Sequence, residues 1–208
     1  MSIPEISDID FAFIRGVKIN GENFEKSDMM RGEETELFGL EEKLQAESAY
    51  ILPGSHSKCI ITDKKGRIVD FLTFMTGEMF AALMENTILK GSVDICDEFN
   101  REYLYKGYLL CEENGVNAAL FKTRILDKMY HSDKNAVYSF FEGVILHAEV
   151  KKIISLPVKK IILGGKKQIR IPMYYLIKKY SDIQVICMEN SVCEISVPKG
   201  AIRIFENV

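Results

Sequence analysis

The stretch Ala49-Tyr50-Ile51-Leu52-Pro53-Gly54-Ser55-His56-Ser57-Lys58-Cys59-Ile60-Ile61-Thr62-Asp63-Lys64-Lys65-Gly66-Arg67 carries the signals that decide the fold. Ala49 to Leu52 is a short apolar run of the kind a buried strand needs. Lys58 to Asp63 and Arg67 to Phe74 read as two further strands. The Asp63-Lys64-Lys65-Gly66 turn between them puts glycine where a hairpin requires a left-handed residue. Between the first two strands, Pro53 to Lys58 offers consecutive backbone N–H groups and the hydroxyls of Ser55 and Ser57. That set can satisfy phosphate oxygens, although Pro-Gly turns with polar tips are also common in their own right. His56 could bind phosphate or cap the turn.

On the N-terminal side, Ile9 to Val17 reads as a strand, followed by the polar loop Asn20-Gly21-Glu22-Asn23. Glu33 to Ser48 reads as a helix, with Leu37, Leu40 and Leu44 on one face. Glu33 and Glu34 suit the positive end of the helix dipole, and either could instead accept a proton. On the C-terminal side, Thr76-Gly77-Glu78 opens a helix carrying Phe80, Leu83 and Met84. Ile95 to Glu113, Ala118 to Met129 and Asn135 to Ile153 show helical periodicity, with breaks at Asn114-Gly115 and His131-Ser132-Asp133. Lys160 to Leu163 is a strand ending in Gly164-Gly165, Pro172 to Tyr180 a helix and Ile183 to Cys187 a strand. The tail reads as a helix from near Ser191, disturbed at Pro198.

Three consecutive strands, a long helical section and then alternating strands and helices imply an α/β fold with a mixed sheet flanked by helices. The sheet should be antiparallel at one edge and parallel elsewhere. Gly54 and Gly164-Gly165 both fall at strand ends, compatible with one shared nucleotide site, though a glycine pair after a strand is often only a turn. Neither Gly-x-x-x-x-Gly-Lys-Ser/Thr nor Gly-x-Gly-x-x-Gly occurs.

A net charge of -3 over 208 residues supplies no electrostatic reason to expect nucleic acid or an anionic membrane as partner. The pairs Lys151-Lys152 and Lys159-Lys160 read as solvated element ends. The five cysteines are odd in number and contain no Cys-x-x-Cys pair, and His56, His131 and His147 show no metal-ligand spacing, so no metal site is expected. The N-terminus lacks the pattern of a signal peptide, and no apolar run approaches the roughly 20 residues of a membrane span. A soluble protein of the reducing cytoplasm is expected.

Three separated motifs, Met30-Arg31-Gly32-Glu33-Glu34-Thr35, Leu52-Pro53-Gly54-Ser55-His56-Ser57-Lys58 and Phe74-Met75-Thr76-Gly77-Glu78-Met79-Phe80, resemble the 2-dehydro-3-deoxygalactonokinases in order and interval. The likeness runs from about Phe13 to the C-terminus, its later half carried by Tyr138 to Glu149 and Ile161 to Gly165. That family is similar to sugar kinases of the actin-like ATPase (ribonuclease H-like) fold. The resemblance implies transfer of the ATP γ-phosphoryl group to the terminal hydroxyl of 2-dehydro-3-deoxy-D-galactonate, a small sugar acid, giving the 6-phosphate, with Mg2+. It places Gly54, Ser55, His56, Ser57 and Lys58 in a phosphate-binding loop, Gly164 and Gly165 at the adenosine and Arg31 at the substrate. Gly32-Glu33 resembles the Gly-Asp step of glycerol kinase relatives, which makes Glu33, or its neighbour Glu34, the catalytic base.

The family also has an Asp-x-Gly-Thr phosphate hairpin, which this sequence lacks. Residues 1–48 are therefore expected to be a remnant of a first domain, and residues 49–208 a C-terminal nucleotide-binding domain. An inactive relic, or a module completed by a separate N-terminal half, is the alternative. Apolar surface left exposed where a first domain would pack should favour a homodimer or such a partner.

Overall fold

The computed structural model describes residues 13–41, 43–96 and 98–206. Its central element is β3 (Ser48–Leu52), in which every residue is buried. The alternation of the strand directs Tyr50 and Leu52 to one face of a five-stranded sheet and Ala49 and Ile51 to the other. β3 pairs antiparallel with β4 (Ser57–Thr62), which pairs antiparallel with β5 (Ile68–Phe74). On its other side β3 pairs parallel with β6 (Lys160–Leu163), and β6 with β7 (Gln184–Cys187), giving the order β5-β4-β3-β6-β7. The expected mixed sheet is present. The hairpin turn closes as its chemistry requires, with Gly66 at φ +73° and its N–H on the Asp63 carbonyl at 3.0 Å.

Against the Ala49/Ile51 face pack α2 (Thr76–Asn86), α3 (Arg101–Asn114), α5 (Lys134–Ile154) and α6 (Lys167–Tyr180). α4 (Val116–Lys128) lies outside them against α3 and α5. The Tyr50/Leu52 face is covered by α1 (Glu33–Leu40) together with residues of α7 (Asn190–Glu194). α8 (Ser196–Glu206) packs on α1. A separate two-stranded ribbon, β1 (Val17–Ile19) with β2 (Asp28–Met30), sits beside β5. Asp28 fastens it there by accepting the backbone N–H of Thr73 at 2.8 Å and its hydroxyl at 2.6 Å. No helix among the described residues is long and apolar enough to cross a membrane.

Several boundaries differ from the sequence expectations. The strand expected over Ile9 to Val17 falls mostly outside the described residues; residues 13–16 are irregular and β1 only begins at Val17. The helix expected to run from Glu33 to Ser48 stops at Leu40, and Glu41 is extended. Tyr50 stabilises the non-helical continuation: its hydroxyl accepts the Gln45 N–H at 2.7 Å and donates to the Glu41 carboxylate. Leu44 still reaches the apolar face, from a loop. The helix expected from Ile95 begins at Arg101, where the Asn100 side chain accepts the N–H groups of Glu102 and Tyr103. α6 begins five residues before Pro172, which lies inside it. The break in the C-terminal helix is at Ile195; Pro198 sits in the first turn of α8, where a missing N–H costs little.

Two helix crossings depend on the absence of a side chain. A Cβ on Gly39 of α1 would lie 1.6 Å from the Ser196 carbonyl oxygen, and one on Gly200 of α8 would lie 1.8 Å from that of Thr35. In the same way Gly107 of α3 meets the Phe140 carbonyl and Gly143 of α5 meets that of Leu104. Backbone cannot yield as a side chain can, so Gly39→Ala must push α1 and α8 apart. The expected loss is at least the roughly 1–3 kcal/mol typical of overpacking, read by urea denaturation; an unchanged midpoint would show that the crossing is not tight in solution.

Candidate functional site

β3 and β6 are parallel neighbours, so the loops that leave them emerge at the same end of the sheet. Those loops carry Gly54 and Gly164-Gly165. The turn after β6 closes directly onto the loop after β3, with the Lys166 N–H on the Pro53 carbonyl at 2.9 Å. Gly165 is at φ +69°, and a Cβ there would lie 2.5 Å from the Pro53 oxygen, so glycine is required both for conformation and for space. Gly164 is buried between the side chains of Leu40 and Leu52.

Two cavities border the loop after β3. The first, of 410 Å³, is lined by Gly54, Gly165, Glu36, Lys166 and Arg170 among others. Arg170 is only 1% exposed. Its guanidinium donates to the Gly165 carbonyl and the Cys193 sulfur, each at 2.7 Å, and to the Asn190 side-chain oxygen. Burial holds the Cys193 thiol above its ordinary pKa, so the three hydrogen-bond acceptors of Arg170 are uncharged, and the carboxyl its charge acts on is that of Glu36 in the same cavity. Burial likewise raises the Glu36 carboxyl, against the Gly165 amide and the Arg170 charge, which favour ionisation.

The second cavity, of 660 Å³, brings together Arg31, Glu33, His56 and Lys58 with Asp28 and Thr73. Glu33 lies on its wall and accepts the Arg31 N–H at 2.9 Å. Glu34 is buried and turned to the Gly32 N–H at 2.8 Å, so its carboxylate holds the loop before α1. Lys58 donates to the Met29 carbonyl at 2.8 Å and to the Thr73 hydroxyl at 2.7 Å. His56 contacts the Glu78 carboxylate at 2.9 Å, and Ser55 is exposed at the tip of its loop. Ser57 points the other way: it is fully buried, and its hydroxyl donates to Glu149.

The three sequence motifs thus meet around one loop, with a cationic cavity on one wall and a carboxylate-bearing cavity on another. The 2-keto-3-deoxy-galactonokinase family profile matches residues 2–191. The chain belongs to this family. Among curated relatives, a Rhizobium meliloti (strain 1021) protein named "Probable 2-dehydro-3-deoxygalactonokinase DgoK1" is 45% identical over 74 residues, covering 35% of this chain and 24% of its own. The 2-dehydro-3-deoxygalactonokinase of Escherichia coli (strain K12) is 30% identical over 127 residues, 59% of this chain and 41% of its own. A crystal structure from Sinorhizobium meliloti, assigned as a 2-dehydro-3-deoxygalactonokinase, superposes with a TM-score of 0.72 at 23% identity. It matches 90% of this chain and 62% of its own, a likeness of fold. The chain therefore spans less than two thirds of the length of the relatives it matches.

Within the family motifs, the glycine of Thr76-Gly77-Glu78 has a structural reason. A Cβ on Gly77 would lie 2.1 Å from the Gly54 carbonyl oxygen, and the Glu78 N–H donates to the Ser55 carbonyl at 3.1 Å. Beneath both, Glu149 of α5 accepts the hydroxyls of Ser57 and Thr76. Sequence reading missed Glu149, Arg170 and Asp28 as parts of the site. A signal for the first existed: Glu142 and Glu149 are seven residues apart in a largely apolar helix, a spacing that puts both on one face. Arg170 in a Lys-rich segment and Asp28 in a polar loop carry no such mark.

Burial raises the Glu149 carboxyl above its usual range, against the two hydroxyl hydrogen bonds that favour the ionised form. A folded pKa above the unfolded one makes its contribution to stability complete below about 4.3, the unfolded carboxyl value, and lost as pH rises through the folded pKa. Glu149→Gln cannot ionise. Wild-type stability should therefore fall relative to E149Q as pH rises from about 4.3 towards neutrality, in urea melts taken across that interval; parallel curves would contradict the assignment.

Proposed function

We propose that the chain carries the nucleotide and phosphoryl-handling part of a 2-dehydro-3-deoxygalactonokinase, an ATP-dependent sugar-acid kinase acting on 2-dehydro-3-deoxy-D-galactonate to form the 6-phosphate. The observation that carries this reading is the convergence of Gly54 and Gly165, from two parallel strand ends, on a cavity walled by the buried Arg170. The sheet order, three antiparallel strands extended by parallel ones, supports an actin-like ATPase unit over residues 49–208; α1, assigned from sequence to a first-domain remnant over residues 1–48, packs on that sheet and on α8 as part of the same core.

In this reading Gly54, Ser55, His56 and Lys58 face the phosphates, Ser57 shapes their loop from below, and Gly164 and Gly165 receive the adenosine. Arg31 contacts the sugar acid. Glu33, on the cavity wall, takes the proton of the attacking hydroxyl, while Glu34 positions the loop. Among the described residues no group of three or more His, Cys, Asp or Glu side chains is arranged to hold a metal ion. Mg2+ would bind, as is its usual habit, chiefly through nucleotide phosphates with one or two carboxylates, and would neutralise phosphate charge. The cytoplasm is the compartment this reading suits.

A second reading is a catalytically inactive relic or a nucleotide-binding module that needs a separate polypeptide for turnover. A coupled ADP assay with Mg-ATP and the sugar acid separates the two: turnover supports the kinase, and nucleotide binding without turnover supports the module. In an active preparation Glu33→Gln should lower kcat by about a hundredfold or more with little change in KM, whereas Glu34→Gln should act mainly through stability. Normal turnover by E33Q would remove Glu33 from the mechanism.

A further inference from the structure

Glu78 holds the loop after β3 twice, through its backbone and through its side chain. Its N–H donates to the Ser55 carbonyl at 3.1 Å, and its carboxylate lies 2.9 Å from Nε2 of His56, the next residue of that loop. The close approach of Gly77 to the Gly54 carbonyl brings the helix start to this position. An acid in the first turn of a helix is ordinarily a response to the helix dipole. Here Met75 at the N-cap supplies no side-chain bond, and the only acid of the first turn reaches away from α2, to a residue 22 positions earlier. Both side chains are half exposed, so the pair adds little to stability. Its consequence is for the imidazole ring.

A carboxylate has no hydrogen to give, so in this pair the ring donates and Nε2 carries the hydrogen. That fixes the tautomer and leaves Nδ1 as the free nitrogen, without a hydrogen-bond partner among the described residues. His56 lines the 660 Å³ cavity with Lys18 and Asp28 of the ribbon, Arg31 and Glu33 around the start of α1, and Lys58 of β4. The three cations oppose a further positive charge on the ring. The two acids are engaged elsewhere, Asp28 with Thr73 and Glu33 with the Arg31 N–H, and Glu78 is the carboxylate in contact with the ring. A phosphate oxygen that bears no hydrogen is repelled by a bare Nδ1 and held by Nδ1–H. Only the doubly protonated ring has both N–H groups, and the opposite charge of Glu78 is what favours that form among the cations.

We propose that Glu78 is a positioning residue: it orients His56 with Nε2 towards α2 and supports the imidazolium that forms when an oxyanion meets Nδ1, so that anion binding draws a proton onto the ring. The proposal rests on the kinase reading for the oxyanion, a nucleotide phosphate, and adds a residue that acts through His56 and a proton that accompanies binding. Nδ1 gains its hydrogen from water or buffer, no bond of the phosphate changes, and the proton returns to solvent when the anion leaves. Glu78→Gln keeps an oxygen for Nε2–H, and so the place of the ring, while removing the charge. Glu78→Asp keeps the charge on a shorter arm.

Calorimetry of the full chain with inorganic tripolyphosphate, repeated in buffers of different ionisation enthalpy, counts the protons exchanged on binding. The pH is set at about 8, where an ordinary histidine, with a pKa of about 6.5, is neutral. Relative to His56→Asn, which calibrates any proton released by the tripolyphosphate itself, wild type should take up a large fraction of one proton. Glu78→Gln should take up markedly less and bind about tenfold more weakly, the equivalent of one pKa unit of lost support. Glu78→Asp should restore much of the uptake, a ranking that a merely structural role would not produce, and Tm should barely move in any variant. Wild type that binds without proton uptake, or Glu78→Gln with wild-type uptake and affinity, overturns the proposal and leaves the kinase reading standing. Failure of wild type to bind either tripolyphosphate or ATP defeats the kinase reading and this inference with it. The tautomer is read without any ligand from nitrogen-15 spectra of the imidazole: hydrogen on Nε2 is expected in wild type and a mixture in Glu78→Ala, and hydrogen on Nδ1 in wild type overturns the assignment.

Discussion

The buried carboxylate of Glu149 is the contact on which the candidate site depends. It accepts one hydroxyl from the start of β4 and another from the start of α2, and so draws three distant segments of sequence under a single loop. Above it, the loop can adopt its shape only because Gly77 leaves room for the Gly54 carbonyl and the Glu78 N–H meets that of Ser55. The loop's conformation is thus imposed by residues 20 to 95 positions away as much as by its own Pro-Gly turn. A loop held from below in this way presents its free N–H groups outward at little further entropic cost on binding.

That arrangement explains why the family likeness rests on three motifs spaced along the chain. Each motif alone is an ordinary feature: an acidic helix start, a polar turn, a helix opening with Thr-Gly-Glu. Packed together they share hydrogen bonds. Ser57 shows the consequence for function: it looks like a phosphate ligand in sequence, yet its hydroxyl faces the core and works through the loop it shapes.

Local chemistry was legible where it alone determines structure. The apolar run of β3, the β4–β5 hairpin with Gly66, and the long periodicity of α5 all lie within a few residues of their expected limits. What sequence could not show were outcomes fixed by distant partners. α1 stops at Leu40, and its Gly39 fits against Ser196, a residue at the other end of the chain. β2 is three residues long and held to β5 by the Asp28 side chain, which carries no period to detect. The same division holds in the site. Gly54 and Gly165 were legible as strand-end glycines, whereas Arg170 is a buried cation that resembles a surface one until its neighbours are known.

The first turn of α6 breaks a local rule in a way that points to its use. Lys166, Lys167 and Arg170 place three cations at the positive end of a helix, where acidic residues are favoured, and the first turn contains no acid. Arg170 compounds this by being buried with uncharged hydrogen-bond acceptors. Local conflicts of this kind are expected where a bound group offsets them. A polyanion at the glycine loops would relieve the repulsion.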